Sequence, residues 1–327
     1  MSLSISDTRI DPGAPIAVVA MGGHAFIQPG ERGTHEDHTR NARAICAELM
    51  TLVERGYRLV ITHGNGPQVG DLLTRVELTR DALPQPPLDV LVAQTEGSLG
   101  YLLQRALLNE LHARKLDRRV VTMVTQVRVS SDDPAFKKPS KPIGPFLSKE
   151  DAEASRTKYD WVIGEDAKRG WRRLVPSPYP LEIVQAEMIR DVVWSGNIVI
   201  AAGGGGIPVT ESPNGDYVGI EAVIDKDLTS GVLATDVGAD LLVILTAVDG
   251  VYIRWGQPDE QRLGAVTLSE AARYIEQEHF PAGSMGPKVQ AIYEFLQRGG
   301  RRGLITSADK LRDALDGQAG THFIGRI

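Results

Sequence analysis

Residues 59–70, which read LVITHGNGPQVG, determine the fold that we expect for this chain. Residues 59–61 form an apolar run, which is typical of a buried parallel strand. Gly64, Asn65 and Gly66 follow as a turn, and a helix-compatible segment begins after it. Glycine has no Cβ, so such a turn brings bare backbone N–H groups to an anion, and the next helix adds its positive end. Alone, this segment fits an anion site and an ordinary strand–helix turn equally well.

The spacing of this turn excludes two common nucleotide-binding motifs. A dinucleotide fingerprint that begins at Gly64 requires glycine at position 69, where Val69 stands. A Walker loop ends in Gly-Lys-Ser or Gly-Lys-Thr, and the sequence contains no such ending. The turn therefore needs another explanation if it binds a nucleotide.

Two further glycine turns follow apolar strands. Ile16–Met21 (IAVVAM) leads into Gly22, Gly23 and His24, and residues 198–202 (IVIAA) lead into four glycines at 203–206. Parallel strands that end at the same edge of a sheet bring their loops together, and ligands bind at that edge. One such turn is ordinary, whereas three of them predict a site for several anionic groups.

Composition limits the class of protein. With 327 residues and a hydrophobic fraction of 42%, the chain can bury a large core, and its net charge of −6 argues against a nucleic-acid surface. Cys46 is the only cysteine, which excludes an intrachain disulfide and a cysteine metal cluster. The first residues have no apolar signal core, and residues 192–210 contain too many glycines and polar residues for a membrane helix. We expect a cytoplasmic protein that binds neither membrane nor nucleic acid.

Strand and helix patterns alternate along both halves of the chain, which predicts an α/β fold on a mainly parallel sheet. We expect one domain over residues 1–327. Among its elements we predict one strand at 120–127 and helices at 228–238 and 289–298. The segment His-Glu-Asp-His at 35–38 does not match a zincin metal site, because that pattern requires histidine where Thr39 stands.

Residues 130–173 differ in character from the rest, because prolines, lysines and other charges interrupt the pattern. We interpret this segment as an inserted lid subdomain. Lys137 and Lys138 are expected on its solvated surface. Lys141 differs from them, since it stands in SKPIGPF, where two prolines and a glycine restrict the backbone around one cation.

Lys141, Lys226 and Lys288 are the candidate cations of the site, since each stands beside glycine, proline or aspartate. Asp225 could hold Lys226 by charge or cap the following helix, and we favour the first role. Asp227 is expected in the first turn of that helix. No nucleophile elbow occurs in the sequence. Neutral N–H donors with fixed cations predict phosphoryl transfer, which needs positioning and charge neutralisation more than a covalent nucleophile.

Several segments, which occur in order from Ile16 to about Gly320, together resemble carbamate kinase of the amino acid kinase family: AVVAMGGHA, ITHGNGPQVG, KPSKPIGPF, GWRRLVPSP, VIAAGGGGIPV, GIEAVIDKD and FPAGSMGPK. The resemblance implies a three-layer α/β/α sandwich with a small protruding subdomain, assembled as a homodimer. It also implies reversible transfer between ATP and carbamate, run in cells from carbamoyl phosphate and ADP towards ATP. Mg²⁺ would arrive with the nucleotide, and no dedicated metal site is expected.

The resemblance also assigns roles to residues. Substrate and phosphate groups are expected against the glycine turns, at Gly22, Gly23, His24, Gly64, Asn65, Gly66, Gly203, Gly204 and Gly205. Within that set, the first turn faces the transferred phosphoryl group and the second holds the carbamate. Lys141 enters from the subdomain, and Lys226, oriented by Asp225, neutralises phosphate charge together with Lys288. The nucleotide base is expected near Thr246, Ala247, Tyr252 and Met285.

One residue departs from the family pattern, which is Gly-Gly-Asn where this chain has His24. We expect His24 to contact the transferred phosphoryl group, where its charge can change near neutral pH. Two alternatives stay open: a related kinase that phosphorylates another small carboxylate, and a nucleotide-binding regulator without turnover. His24 favours the first alternative, whereas the three candidate lysines argue against the second.

Overall fold

The computed structural model describes residues 13–22, 25–28, 30–165, 170–281 and 283–325. The strands, in chain order, are β1 (Ile16–Met21), β2 (Arg58–His63), β3 (Val120–Thr122), β4 (Gln126–Arg128), β5 (Lys141–Leu147), β6 (Ile163–Glu165), β7 (Trp171–Val175), β8 (Glu182–Ile183), β9 (Ile198–Ile200), β10 (Ile207–Glu211), β11 (Tyr217–Gly219), β12 (Leu241–Leu245), β13 (Val251–Ile253), β14 (Gln261–Leu263), β15 (Ala265–Thr267), β16 (Arg302–Thr306) and β17 (Thr321–Ile324). The α-helices are α1 (His35–Glu54), α2 (Gly66–Leu78), α3 (Leu88–Ala113), α4 (Lys149–Tyr159), α5 (Ala186–Trp194), α6 (Lys226–Asp236), α7 (Leu268–Glu276), α8 (Met285–Gln297) and α9 (Leu311–Leu315).

The central sheet contains eight of the described strands, in the order β15-β17-β16-β12-β1-β2-β9-β3. The strands from β16 to β3 are parallel, and β17 runs antiparallel to β16. Val18 of β1 pairs with Leu242 of β12 on one side and with Val60 of β2 on the other. Because β1, β2 and β9 are direct neighbours, the three glycine turns leave the same edge of the sheet side by side, as the sequence predicts.

Side chains of β1 alternate between two apolar cores, as expected for a strand that is buried on both faces. Val18 and Ala20 pack into one core with α5, α6 and α8. Val19 and Met21 pack into the other core with α1 and α3. Helices thus cover both faces of the sheet, and the predicted three-layer α/β/α sandwich is confirmed.

Two helices that border the site begin earlier than predicted. Helix α6 begins at Lys226 rather than 228, because Asp225 caps it: its Oδ1 accepts a hydrogen bond of 2.9 Å from the N–H of Asp227. Helix α8 begins at Met285 rather than 289, because proline is tolerated in the first turn, where its missing N–H has no intrahelical partner. Lys226 and Lys288 therefore both lie in the first turn of a helix.

Residues 120–127, predicted as one strand, form two strands in different sheets. Strand β3 belongs to the central sheet, whereas β4 lies between β10 and β8 in a second sheet. The chain changes sheets at Thr125, whose N–H donates to Glu96 (2.9 Å) and whose carbonyl accepts from Ile207 (2.8 Å). The prediction of one strand is wrong because these long-range partners interrupt a run of residues that locally favours extended structure.

Within the lid segment, β5, β7 and β6 form a three-stranded sheet. Strand β5 packs against α2, where Gly70 and Gly144 meet so closely that a Cβ on Gly70 would lie 1.9 Å from the Gly144 Cα atom. Ile143 and Val175 join Val69 of α2 in an apolar cluster. The strand that begins with Lys141 is thereby anchored on the core. Strand β7 of this sheet continues to Val175, beyond the predicted end of the lid at residue 173. The lid as a separate inserted subdomain stays a prediction.

Among the described residues, no helix combines the length and the apolar character that crossing a membrane requires. The longest described helix, α3, has 26 residues and carries charged side chains along its length.

Candidate active site

A cleft of about 1080 Å³ lies at the carboxyl edge of the central sheet, where the glycine turns emerge. The predicted residues that line it are Gly22, Gly64, Asn65, Gly66, Gly204, Lys141, Asp225, Lys226, Lys288, Thr246, Ala247, Tyr252 and Met285. Gly203 and Gly205 are buried and do not contribute to its wall. Gly23 and His24, which we predict at the phosphoryl end, lie outside the described residues.

The second glycine turn forms one wall of the cleft and the start of a helix. Asn65 is the N-cap residue of α2, with Gly66 and Pro67 in the first turn, so the N-terminal N–H groups of the helix begin at the cleft. The N–H of Gly64 donates to the Met21 carbonyl at 3.0 Å, which ties this turn to the end of β1. The Asn65 side chain is buried, and its Nδ2 donates to Thr95 Oγ1 at 2.9 Å.

The third glycine turn has a backbone that favours glycine. Gly204, Gly205 and Gly206 have φ values of +69°, +98° and +84°, which residues with a Cβ rarely adopt. Gly204 lies directly against Asn65: a Cβ at this position would be 2.1 Å from the Asn65 amide nitrogen. The second and third turns therefore interlock, and a side chain at Gly204 would separate them.

Asp227 joins two of the three candidate lysines. Its Oδ1 accepts a short hydrogen bond from Lys226 Nζ, and its Oδ2 accepts one of 2.8 Å from Lys288 Nζ. The Asp227 side chain is only 4% exposed. A single buried carboxylate thus holds two ammonium groups, from the first turns of α6 and α8, next to each other at the cleft.

Asp225 has a different role from the one predicted. Its Oδ1 caps α6, while its Oδ2 pairs with Lys141 Nζ at 3.2 Å. The contact with Lys226 is made by Asp227 instead, so the expectation that Asp225 orients Lys226 is corrected. An N-cap side chain folds back over the first turn of the helix, which turns its second oxygen towards the lid lysine.

Lys141 reaches the cleft from the first residue of β5. Besides Asp225, its Nζ donates to the carbonyl oxygen of Ile224 at 3.0 Å. These two acceptors lie at the start of α6, directly before Lys226. The structure therefore brings all three predicted lysines to one cleft, although they belong to three elements that are far apart in the sequence.

Burial and charge act in opposite directions on this cluster. Burial raises the pKa of Asp225 and of Asp227, but the neighbouring lysines prevail and hold both carboxyl pKa values below the ordinary range. Burial, helped by the Lys288 charge, lowers the pKa of Lys226 despite the two aspartates. For Lys288, burial is outweighed by Asp227 and Asp225, and the pKa is raised. Three ammonium groups around two carboxylates leave excess positive charge, which suits an anionic ligand.

The cleft is also lined by aromatic and apolar residues. Tyr252 and Trp255 lie edge to face with ring centroids 5.1 Å apart, and the Tyr252 hydroxyl donates to Asp249 at 2.9 Å. Thr246 and Ala247 follow β12 here, and Met285 begins α8. A cationic cluster and an aromatic pair in one cleft match the two parts of a nucleotide, its phosphates and its base.

Asp227, Arg172 and Trp255 are among the cleft residues that were not predicted from the sequence. From the sequence, Asp227 is expected only in the first turn of a helix, although the segment Asp-Lys-Asp contains two aspartates that could pair with Lys226. Arg172 of β7 lines the same cleft as Lys141, and its Nε donates to the Gly144 carbonyl at 2.9 Å. Trp255 gave no sequence signal, because an isolated aromatic residue in a hairpin is most often part of a surface.

The comparison with known proteins agrees with this geometry. The model of the amino acid kinase family matches residues 15–307. The chain belongs to the amino acid kinase family. Carbamate kinase from Thermococcus kodakarensis is 47% identical over 94% of this chain and 98% of its own length. The predicted resemblance to carbamate kinases is confirmed.

Solved structures of the amino acid kinase family agree as well. Carbamate kinase from Giardia lamblia bound to citric acid has a TM-score of 0.92 and 37% identity, and the match covers 97% of this chain and all of that chain. Carbamate kinase from Giardia lamblia bound to AMP-PNP has a TM-score of 0.88 and 38% identity over the same shares. The shared fold therefore extends over nearly the whole chain.

Proposed function

We propose that this protein transfers a phosphoryl group between ATP and carbamate, and that it makes ATP from carbamoyl phosphate and ADP. The observation that supports this most strongly is the Asp227 carboxylate with its two lysines, which faces the glycine turns across one cleft. In the ATP-forming direction, a β-phosphate oxygen of ADP attacks phosphorus. The bond between phosphorus and the carbamate oxygen breaks, and carbamate leaves with that electron pair.

The lysines supply most of what this reaction needs. Negative charge spreads over the phosphoryl oxygens in the transition state, and fixed cations stabilise it without reorganising. Lys226 and Lys288, held by Asp227, would face these oxygens. Lys141, which is presented by the lid, would neutralise charge on the side of the leaving group. The N–H groups of the glycine turns add neutral donors.

Magnesium would enter with the nucleotide. Mg²⁺ keeps several waters and binds through phosphates and one or two carboxylates, so it needs no cage of protein ligands. The two carboxylates beside the candidate lysines, Asp225 and Asp227, are already paired with those lysines. Their arrangement fits a metal ion that is carried by the phosphates of ADP or ATP.

The nucleotide would lie with its base towards Tyr252 and Met285. Carbamate kinase from Giardia lamblia is known in a form bound to AMP-PNP, and this chain shares its fold, which supports ATP and ADP as the nucleotides here. A cytoplasmic location belongs with this proposal, because ATP and ADP are available there.

The substrate can be tested with two acyl phosphates. We expect ATP formation from ADP and Mg²⁺ to be at least about tenfold more efficient, in kcat/KM, with carbamoyl phosphate than with acetyl phosphate. The reason is that the buried amide of Asn65 would lose a hydrogen-bond partner when NH₂ is replaced by CH₃, which costs about 1–3 kcal/mol. A preference for acetyl phosphate would indicate a related carboxylate kinase, and ADP binding without ATP from either donor would indicate a regulator.

We further propose that the chain forms a homodimer through the β3 edge of the central sheet. Val121 on β3 and Val124 just after it are 36% and 57% exposed. Tyr101 and Leu108, which both lie on α3, expose apolar surface on one helical face. An open strand edge beside an apolar patch suits a two-fold interface in which each chain covers the same surface of the other.

Lysine in place of Val124 is expected to convert this dimer into a monomer. A charged side chain at a strand edge opposes edge-to-edge pairing and the burial of the patch. Sedimentation velocity should show twice the mass of one chain for the wild type and the mass of one chain for Val124→Lys. Leu83→Lys is the control, since Leu83 is 60% exposed between α2 and α3. Equal masses for all three proteins would contradict this interface.

A further inference from the structure

Helix α3 carries two consecutive residues, Thr95 and Glu96, beneath the second and third glycine turns. Their exposed fractions are 0% and 1%, and neither lines the cleft. Neither side chain has a part in the phosphoryl transfer described above. Such fully buried polar side chains are costly unless their hydrogen bonds stabilise something specific.

Thr95 holds the second glycine turn. Its hydroxyl donates to the Val92 carbonyl at 2.7 Å, so its oxygen remains available as an acceptor. Asn65 Nδ2 donates to that oxygen at 2.9 Å. The Asn65 amide, which lines the cleft, therefore has its orientation determined by α3.

Glu96 holds the third glycine turn, directly and through Thr125. Its Oε2 accepts the N–H of Thr125 at 2.9 Å, and the N–H of Gly203 also approaches the carboxyl. Thr125 Oγ1 in turn accepts the N–H of Ala202 at 3.0 Å. The backbone of the turn is thereby bonded to one side chain of α3.

The residues around Thr95 and Glu96 are tightly packed. A Cβ on Gly203 would lie 2.4 Å from His63 Nε2 and 3.2 Å from the Glu96 Cγ atom. His63 belongs to β2, whose carboxyl end leads into the second turn. Strand β2, the third glycine turn and α3 thus meet at one point, and a shift of Glu96 must move the turn.

Glu96 has no ion-pair partner among the described residues, and its Oε1 makes no hydrogen bond to any of them. An ionised carboxylate at such a depth is strongly unfavourable. Burial raises the pKa of Glu96 well above its ordinary value, despite the two N–H donors. His63, whose ring packs against Gly203 beside Glu96, has its pKa lowered to about 4 by burial and by the Lys226 charge, so it is neutral above that pH.

We infer that Thr95 and Glu96 form a positioning platform that fixes the two glycine turns relative to each other, with Glu96 acting as a neutral carboxylic acid. The inference rests on the proposed function, because it assigns to the platform the placement of backbone N–H groups and of the Asn65 amide around the reacting phosphoryl group. Thr95 and Glu96 are positioning residues and do not touch the substrate.

Substitutions on the platform test the positioning role. Glu96→Ala and Thr95→Val are each expected to lower kcat about 10- to 100-fold, because misplacement by about 1 Å is enough for such a loss. The KM for ADP should change less than about twofold, since the base end of the cleft is formed by other elements. Glu96→Gln should restore kcat to within about threefold of wild type, because an amide keeps the acceptor oxygen. Wild-type kcat in Thr95→Val and Glu96→Ala, or equal losses in Glu96→Gln and Glu96→Ala, would overturn the inference.

Urea unfolding between pH 5 and pH 9 tests the neutral acid separately. The folded state retains the proton of Glu96 at pH values where the unfolded chain has released it, so the stability that Glu96 contributes falls as pH rises above about 4.5. Glu96→Gln has no proton to lose, and its unfolding midpoint should therefore rise relative to wild type with increasing pH. Glu276→Gln, a change at an exposed glutamate, should follow the wild type. A constant difference between Glu96→Gln and wild type would contradict a neutral Glu96.

These two tests separate the inference from the proposed function. A wild-type protein without carbamoyl phosphate activity would refute the proposed function, and the unfolding profile of Glu96→Gln would still decide whether Glu96 is neutral. If Glu96→Ala fails to fold, Thr95→Val decides the positioning role, since valine keeps the shape of threonine.

Discussion

Replacing Lys226 by alanine is expected to lower kcat by on the order of 10²–10³, the usual scale for the loss of one transition-state stabiliser. Lys226 lies in the first turn of α6, is held by Asp227 and lines the cleft. Its charge would act on the phosphoryl oxygens more strongly in the transition state than in the ground state. Initial rates of ATP formation at saturating carbamoyl phosphate and ADP measure the effect.

Two further variants make the Lys226 test specific. Lys226→Arg should recover only part of the rate, because a planar guanidinium does not replace a compact ammonium group. Lys137→Ala, at an exposed position of the lid, should leave kcat unchanged. A near-wild-type kcat for Lys226→Ala would remove Lys226 from the catalytic residues.

Asparagine in place of Asp227 should destabilise the protein as well as slow it. The substitution leaves Lys226 and Lys288 partly buried without their shared counter-charge, and the loss of one partner from a buried ion pair costs roughly 3 kcal/mol. We expect a drop of about that size in the free energy of unfolding and a loss in kcat of on the order of 10². Denaturant unfolding and initial rates check the two effects on the same samples.

The dependence of the free energy of unfolding on pH, measured at acidic pH, provides a second test of the role of Asp227. Because the lysines hold its pKa below the ordinary value, its stabilising contribution is present above the ordinary carboxyl range and is lost as pH falls through the folded-state pKa. The Asp227→Asn variant should lack that contribution at neutral pH. Asp313→Asn is the matched control, since it breaks a pair with Lys310 in which both side chains are 49% exposed. Equal stability of Asp227→Asn and Asp313→Asn would contradict the role of Asp227.

The central sheet could be predicted from the sequence because its strands are apolar runs followed by glycine or a short polar turn. Residues 16–21 and 241–245 are buried on both faces, and each is recognisable from its residue types alone. The convergence of the glycine turns also followed from the rule that parallel strands share a carboxyl edge. These features depend on local pattern, which a single sequence contains.

The partners of charged side chains could not be predicted in the same way. Asp225 and Asp227 are both adjacent to Lys226 in the sequence. Because α6 begins at Lys226, Asp225 is its N-cap residue, and the side chain of Asp227 contacts Lys226 and Lys288. Glu96 is a similar case. The residue pattern of its helix does not show that its carboxyl group accepts hydrogen bonds from the backbone N–H groups of Thr125 and Gly203. Such contacts depend on how elements pack, and a pattern along one element does not contain that information.

Transfer of a phosphoryl group from carbamoyl phosphate to ADP in the cleft can be followed by ³¹P NMR of the wild-type protein with both compounds and Mg²⁺. We expect the carbamoyl phosphate signal to decrease while the γ-phosphate signal of ATP grows in equal amount, and we expect Lys226→Ala to slow this transfer by a factor on the order of 10²–10³. Decay of carbamoyl phosphate to inorganic phosphate at the rate seen without protein, with ADP unchanged, would contradict the proposed phosphoryl transfer.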